Sequence, residues 1–323
     1  FVDGAFKNGI SKDIAAGIFL KIEPFAEYGF NKSHAAAYAI IAYQTAFLKT
    51  YFPQEFFAAS MSMELSNQKK LGEFCEEIKR LKINIIRPDI NRCSSDFSSE
   101  NNNFYYALGA IKNVGIESIS NIVKERNKNG EFKSISNFLK RVNPKDINKL
   151  QLEGLTKAGA FDSIISNRRS LYESIPNIIL KSKNIYQNKL QNQTELFSEN
   201  ENNSFEKIIS SKHEWKFQEK MQKEFETVGF YLSDHPLNQY KEIFKEYNIT
   251  KYNEFIIDNN QESMVAATIL KVQEKKTQKG TSYAIIKFSD LGGVFELFIF
   301  SDIFELNRQN MKEGQSVILT LLK

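Results

Sequence analysis

Apolar side chains cover nearly every side of the segment from Ala35 to Leu48, and Pro53 stops the run. That pattern predicts one helix from His34 to about Phe52, with Ser33 as its N-cap and Ala35, Ala36, Ala37 and Ala39 favouring it. Upstream, Ile10, Ile14, Ile18 and Phe19 recur at helical spacing, and a second short helix over 22–25 is expected to break near Pro24. Downstream, EFFAASMSMEL continues as helix, and residues 68–82 set Leu71, Phe74, Cys75, Ile78 and Leu81 on one stripe. INIIRPDIN then reads as a short strand or extended segment ending at Pro88.

From Phe104 the pattern changes to an extended apolar piece, a tight turn over Lys112, Asn113, Val114 and Gly115, and an amphipathic helix from Ile116 to about Arg126. This order resembles a helix-hairpin-helix element, whose hairpin turns backbone N–H groups toward a DNA phosphate and needs residues that tolerate positive φ. A second, more degenerate copy is INKLQLEGLTKAGAFDSI, with Lys157, Ala158, Gly159 and Ala160 as its hairpin. RRSLYESIPNIILKSKNIYQNKL is helix-like, and QNQTELFSENENNSF after it has the polar composition of a loop. The segment from Trp215 is helical, then turns at 233–236, where His235 reads as a packing or capping residue.

The last sixty residues alternate with period two. Strands are expected over 266–276, 282–290, 294–300 and 316–322, with turns at 278–280 and 292–293 and a helix near 302–307. Such an order matches a small Greek-key barrel of the OB type, short of its fifth strand because the chain stops. The fold class is therefore multidomain: an α-helical first domain, a tandem helix-hairpin-helix, then a truncated OB-type β-barrel.

Composition narrows the function classes. The 323 residues are 41% hydrophobic and 25% charged, the balance of a soluble globular protein, and no apolar run is long enough for a membrane span. Two cysteines too far apart for a ligand pair and three scattered histidines give no metal site and suit a reducing cytoplasm. Net charge is only +4, yet residues 101–150 hold nine Lys or Arg against four Asp or Glu, an excess suited to a phosphate backbone. The N-terminus lacks a signal sequence and an initiating Met, so an internal piece of a longer chain is expected.

Candidate chemistry sits at four places. Asn31, Lys32, Ser33 and His34 precede the first long helix, with Tyr38 one turn beyond His34, which makes an anion site at a helix start. The two hairpins, flanked by Lys124, Arg126, Lys128, Lys133, Lys140 and Arg141, suit duplex binding through the backbone without base readout. Gln193, Leu196 and Phe197 form a Q-x-x-L-F peptide in the polar stretch. Lys275, Lys276, Lys279, Tyr283, Lys287 and Phe298 could give the barrel a basic and aromatic face for single strands.

FNKSHAAAYAIIAYQTAFLK, with YFPQEFFAA after it, resembles the fingers of the bacterial replicative DNA polymerase III alpha subunits, a C-family of polymerases. KAGAFD and GFYLSDHPL also occur in that family's pattern, whereas the first hairpin has Asn113 where those polymerases usually have glycine. The resemblance runs along the whole chain. It implies fingers over 1–97, hairpins over 98–165, a linker with a sliding-clamp-binding peptide over 166–212, linker helices over 213–260 and an incomplete OB domain over 261–323. It also implies a cytoplasmic DNA-directed DNA polymerase, whose partners are primer-template DNA, an incoming deoxynucleoside triphosphate, the sliding clamp, the clamp loader and a proofreading exonuclease. By the same resemblance, Lys32 and the helix start hold nucleotide phosphates, His34 lies near the sugar or phosphate, and Tyr38 packs on the base or sugar. No Asp-x-Asp pair occurs in the chain, so its catalytic carboxylates and their Mg²⁺ are expected in a palm domain elsewhere, and these residues alone are expected to be inactive. A non-enzymatic nucleic-acid-binding scaffold or repair factor, or an error-prone paralogue, remains open from sequence.

Overall fold

The computed structural model describes residues 1–26, 32–190, 213–276 and 280–323. Two compact units divide it, Phe1–Phe56 and Phe57–Lys323.

The first unit holds α1 (Val2–Lys7), α2 (Lys12–Ala26) and α3 (Lys32–Tyr51). Helix α2 runs through Pro24 instead of breaking there, because a proline near a helix C-terminus forfeits a single backbone bond. Lys32 is already helical, so Ser33 lies inside α3 and is not its N-cap. Rings four residues apart line α3, Phe47 meeting Tyr51 at 4.6 Å and Tyr43 at 6.4 Å. None of its side chains is buried, contrary to what an all-round apolar pattern suggests. The division between the units falls within α4 (Pro53–Ser62), short of the boundary near 97 that the sequence suggests.

In the second unit, α5 (Gln68–Arg80) is capped by the Asn67 side chain and buries Leu71, Cys75 and Ile78. Leu81 falls at its C-cap and is exposed, off the stripe where spacing put it. A small sheet follows, in the order β1-β3-β2, from Asn84–Ile86, Ser98–Glu100 and Asn103–Tyr105, its first strand lying in the INIIRPDIN stretch. Its hairpin turns on Asn101 and Asn102, both at positive φ, as a tight antiparallel turn requires.

Four helices build the next layer: α6 (Ile116–Asn129), α7 (Ile135–Arg141), α8 (Lys149–Ala158) and α9 (Arg168–Leu190). Helix α9 continues through Pro176 and buries Leu171, Ile175 and Ile178, which line one small apolar space with Ile135, Phe138, Leu152 and Phe161. Residues 168–190 thus belong to the hairpin module and not to a linker, because their apolar stripe is needed to close its core. Next comes α10 (Phe217–Val228), which buries Met221, Glu224, Thr227 and Val228 and so is more than a connecting helix. Short helices α11 (Lys241–Glu246) and α12 (Tyr252–Ile257) lead to the sheet.

The sheet has the antiparallel order β6-β5-β4-β7, from β4 (Glu262–Lys276), β5 (Ser282–Ser289), β6 (Val294–Ile299) and β7 (Ser316–Leu322), with α13 (Ser301–Asn307) between the last two. It is a curled half-barrel of the OB type. Val265, Ala267, Ile269, Ala284, Ile286, Phe288, Phe295 and Phe304 fill its concave side. The period-two pattern lapses over residues 265–270, all buried, because the other face of β4 is covered too, Leu270 meeting Met221 and Tyr231. A bulge between Ile269 and Lys271 shifts the register by one residue, so that Val272 is the next side chain packed on that core.

Candidate nucleic-acid interface

The first hairpin is built from the chain's own backbone. A 3₁₀ turn at Leu108–Ala110 leads into it, Val114 N–H donates to the Ile111 carbonyl, and Asn113 takes a φ of +66°. Asparagine holds this left-handed backbone where glycine would be the unstrained choice, so the sequence requirement for positive φ is met. Gly115 is the N-cap of α6, and no side chain caps that helix. Its first-turn N–H groups and the positive end of its dipole therefore remain exposed beside Lys112 and Asn113, an arrangement suited to a phosphate. Glu117 in the same turn offsets part of that charge.

What holds this hairpin in place comes from two directions. Lys112 N–H donates to the Thr227 carbonyl of α10 at 2.9 Å. From the other side, α8 presents Gly154, where any Cβ would come within 2.8 Å of the Lys112 carbonyl oxygen. The Asn148–Gln151 capping box fixes the start of α8 and sets Gln151 beneath Gly115. Gln151 and Gly154 were not among the residues singled out from sequence, although Asn-x-x-Gln before an apolar run and a lone glycine in helical spacing were the available signals.

The flanking cations divide. Lys124 and Lys128 lie one turn apart on the exposed face of α6. Arg126 points the other way, being two residues on and so some 200° around the helix. It is 8% exposed, and its guanidinium donates to the carbonyls of Ile90 at 2.9 Å and Cys93 at 2.6 Å. Burial lowers its pKa from the ordinary arginine value. Arg126 therefore joins two backbone segments and is not presented to DNA, a correction to the sequence reading.

The second hairpin is closed by the protein itself. Gly159 is left-handed at φ +83° and ends α8, as a glycine C-cap does. Its backbone is covered by Arg168, whose guanidinium donates to the Lys157 carbonyl at 3.1 Å and to both oxygens of Asp162 at 2.6 and 2.8 Å. Lys157 is bonded to Glu226 at 2.9 Å, with the Tyr172 ring 5.4 Å away. Burial works to lower the Lys157 pKa, but the carboxylate partner prevails and raises it. Lys157 and Gly159 are thus occupied by internal partners, which corrects the expectation that the second, more degenerate hairpin also faces a DNA phosphate.

At the start of α3 the rings of His34 and Tyr38 meet at 4.2 Å, on one face as their spacing requires, and Tyr38 is 57% exposed. Asn31 falls outside the described residues, as do Gln193, Leu196, Phe197 and Lys279. On the convex face of the barrel, Tyr283 and Phe298 stack at 6.5 Å and 14°, and Tyr283 pairs in register with Lys275. Phe298 is 64% exposed. His235 caps the 3₁₀ turn Pro236–Tyr240 through Nδ1, which accepts from Leu237 N–H. Its role is the capping one expected from sequence, and burial pushes its pKa down to about 4.

A family model described as a helix-hairpin-helix motif matches residues 82–171. Along 322 residues the chain is 34% identical to the DNA polymerase III subunit alpha of Caulobacter vibrioides, covering 99% of this chain and 28% of that one. The corresponding subunit of Borreliella burgdorferi is 35% identical over 329 residues, with 98% and 28% covered. That of Rickettsia bellii is 36% identical over 331 residues, with 94% and 28% covered. The chain spans little more than a quarter of the length of these relatives.

Proposed function

We propose, on the premise that this chain belongs to the DNA polymerase III alpha subunit family over about 28% of such a subunit's length, that it is the part of a replicative polymerase that grips DNA. The first hairpin is its duplex contact. The observation that carries this reading is the left-handed Asn113 set before the uncapped start of α6, with Lys112 exposed at the same point. Its donors are backbone groups, which bind phosphate oxygens in any sequence, and Lys124 and Lys128 extend the binding surface along the duplex. The second hairpin supports the first from within.

The start of α3 contributes to binding the incoming deoxynucleoside triphosphate through Lys32, Ser33, His34 and Tyr38. The Gln193–Phe197 peptide tethers the polymerase to its sliding clamp, and the barrel face around Tyr283 and Phe298 meets single-stranded template. Clamp loader and proofreading exonuclease are further partners of the whole polymerase, which acts in the cytoplasm. Phosphoryl transfer in such an enzyme needs carboxylates that share divalent ions. The chain has no Asp-x-Asp pair, and among the described residues no group of three His, Cys, Asp or Glu could hold a metal ion. These residues do not fit a Mg²⁺ centre.

The test is fluorescence anisotropy of a labelled duplex titrated over a range of salt. Lys124→Ala with Lys128→Ala should weaken binding for all sequences alike and flatten the slope of log K against log salt by about one for each phosphate no longer neutralised. An unchanged slope would mean that these lysines only solvate α6.

A further inference from the structure

Helix α10 touches the hairpin module on one side and the barrel on the other. Toward the hairpins, Thr227 accepts from Lys112, Glu226 pairs with Lys157, and Glu224 lies 3.9 Å from the Arg168 guanidinium. Toward the barrel, Gln218 Nε2 donates to the Gly314 carbonyl at 2.9 Å, and Met221 packs with Leu270 of β4. Gly314 has φ +83°, a left-handed backbone that favours glycine. After α10 the chain turns at Gly229 and returns as the GFYLSDHPL segment.

That returning segment is fastened at both ends. Glu224 Oε1 accepts from Leu232 N–H at 2.9 Å and from Ser233 N–H at 2.8 Å. Two residues on, His235 Nε2 meets Ser289 Oγ of β5 at 3.0 Å, while Nδ1 is occupied by Leu237 N–H. Glu224 is 1% exposed. Apolar residues would fill such a place at less cost in desolvation, but only an acceptor can set the direction of two backbone N–H groups. A tether between two independent domains needs none of this.

We propose that Glu224 is a positioning residue: by clasping the 232–235 turn it holds the barrel in one orientation against the first hairpin, so that duplex and single strand are bound at a fixed spacing. The functional half of this statement rests on the reading of those two surfaces given above; the structural half does not. Arg168 meets Glu224, Glu224 holds the backbone of Leu232 and Ser233, and that turn carries His235 to Ser289, so the contacts lead through the turn's own backbone from the closed second hairpin to β5. The second hairpin, in this view, keeps its fold to anchor the barrel and not to bind phosphate.

Spin labels read the spacing directly. Leu150 on α8 and Leu306 on α13 are 56% and 85% exposed, and the two natural cysteines are buried, so Leu150→Cys with Leu306→Cys labels one site on each body. Double electron–electron resonance should give one narrow distance in the otherwise unchanged chain. Glu224→Ala should broaden it or add a second population, and Glu224→Gln should restore it, because the amide oxygen still accepts from both N–H groups. A narrow distance in folded Glu224→Ala, or a Gln variant as broad as the Ala variant, overturns the proposal. Should Glu224→Ala fail to fold, His235→Asn carries the test. It keeps an acceptor for Leu237 N–H but cannot reach Ser289, so broadening supports the proposal and an unchanged distance overturns it.

Anisotropy with a blunt duplex and with a primer-template bearing a 5′ overhang then reads the consequence. The overhang should tighten binding by the unmodified chain, and Glu224→Ala should lose that advantage with blunt-duplex affinity kept. Retention of the advantage overturns the role in spacing. Absence of any duplex binding by the unmodified chain would instead defeat the functional reading and leave the distance result standing.

Discussion

Arg126→Ala separates the surface role that sequence suggests from the internal role that the structure gives. Removing the guanidinium takes away the donor to the Ile90 and Cys93 carbonyls, 36 and 33 residues upstream, and leaves both acceptors in a site closed to water. Hydrogen bonds to a charged group are worth about 1.5–3 kcal/mol each, so two of them give a loss of roughly 3–6 kcal/mol. That is a large fraction of the stability of an ordinary domain. Urea denaturation followed by the fluorescence of Trp215, the chain's one tryptophan and a buried one in the same unit, measures it. The expected result is a clearly lower midpoint for Arg126→Ala and, at urea-free conditions where it remains folded, an unchanged salt slope for duplex binding. Lys124→Ala with Lys128→Ala should do the reverse, shifting stability by no more than about 0.5 kcal/mol while flattening the slope. Wild-type stability in Arg126→Ala together with a shallower salt slope would refute the reasoning and return Arg126 to the surface.

In the full-length polymerase, Lys32→Ala should raise the KM for nucleotide by about ten- to a hundredfold, the worth of one charge-assisted hydrogen bond, with little change in DNA affinity; loss of DNA binding at normal KM would make the α3 start a DNA-facing element. Leu196→Ala with Phe197→Ala should remove about 3–6 kcal/mol of clamp binding, cutting processivity on clamp-loaded template but sparing short clamp-free extension, and surviving processivity would place the tether elsewhere. Burial keeps the His235 imidazole neutral down to a pKa of about 4, so the unfolded chain takes up a proton first. The stability linked to that neutrality is complete above pH 6.5 and is lost as the pH falls from there toward 4, by up to about 3 kcal/mol. His235→Asn should fall less steeply between pH 7 and pH 5 in urea midpoints, and an equal fall would exclude His235 as the source.

Sequence alone determined the elements whose cause is local. The spacing of Leu71, Cys75 and Ile78 gave α5, strict alternation gave β5 and β7, and the glycine and asparagine turns marked the hairpins. Asn113 was legible because few residues other than glycine hold a left-handed backbone comfortably. The family resemblance was legible too, since it lies in long linear stretches. Tertiary structure decided what each charged side chain meets. Helical geometry could have warned that Arg126 opposes Lys124 and Lys128, but not that two carbonyls from residues 90 and 93 await it. No spacing rule says that Arg168 covers Gly159, a pairing that forms when the apolar faces of α8 and α9 close, or that Glu224 clasps Leu232 and Ser233, which needs the chain to fold back on α10 after Gly229. Backbone propensity acts over a few residues, whereas desolvation forces a buried charge to find its partner wherever the fold has put one.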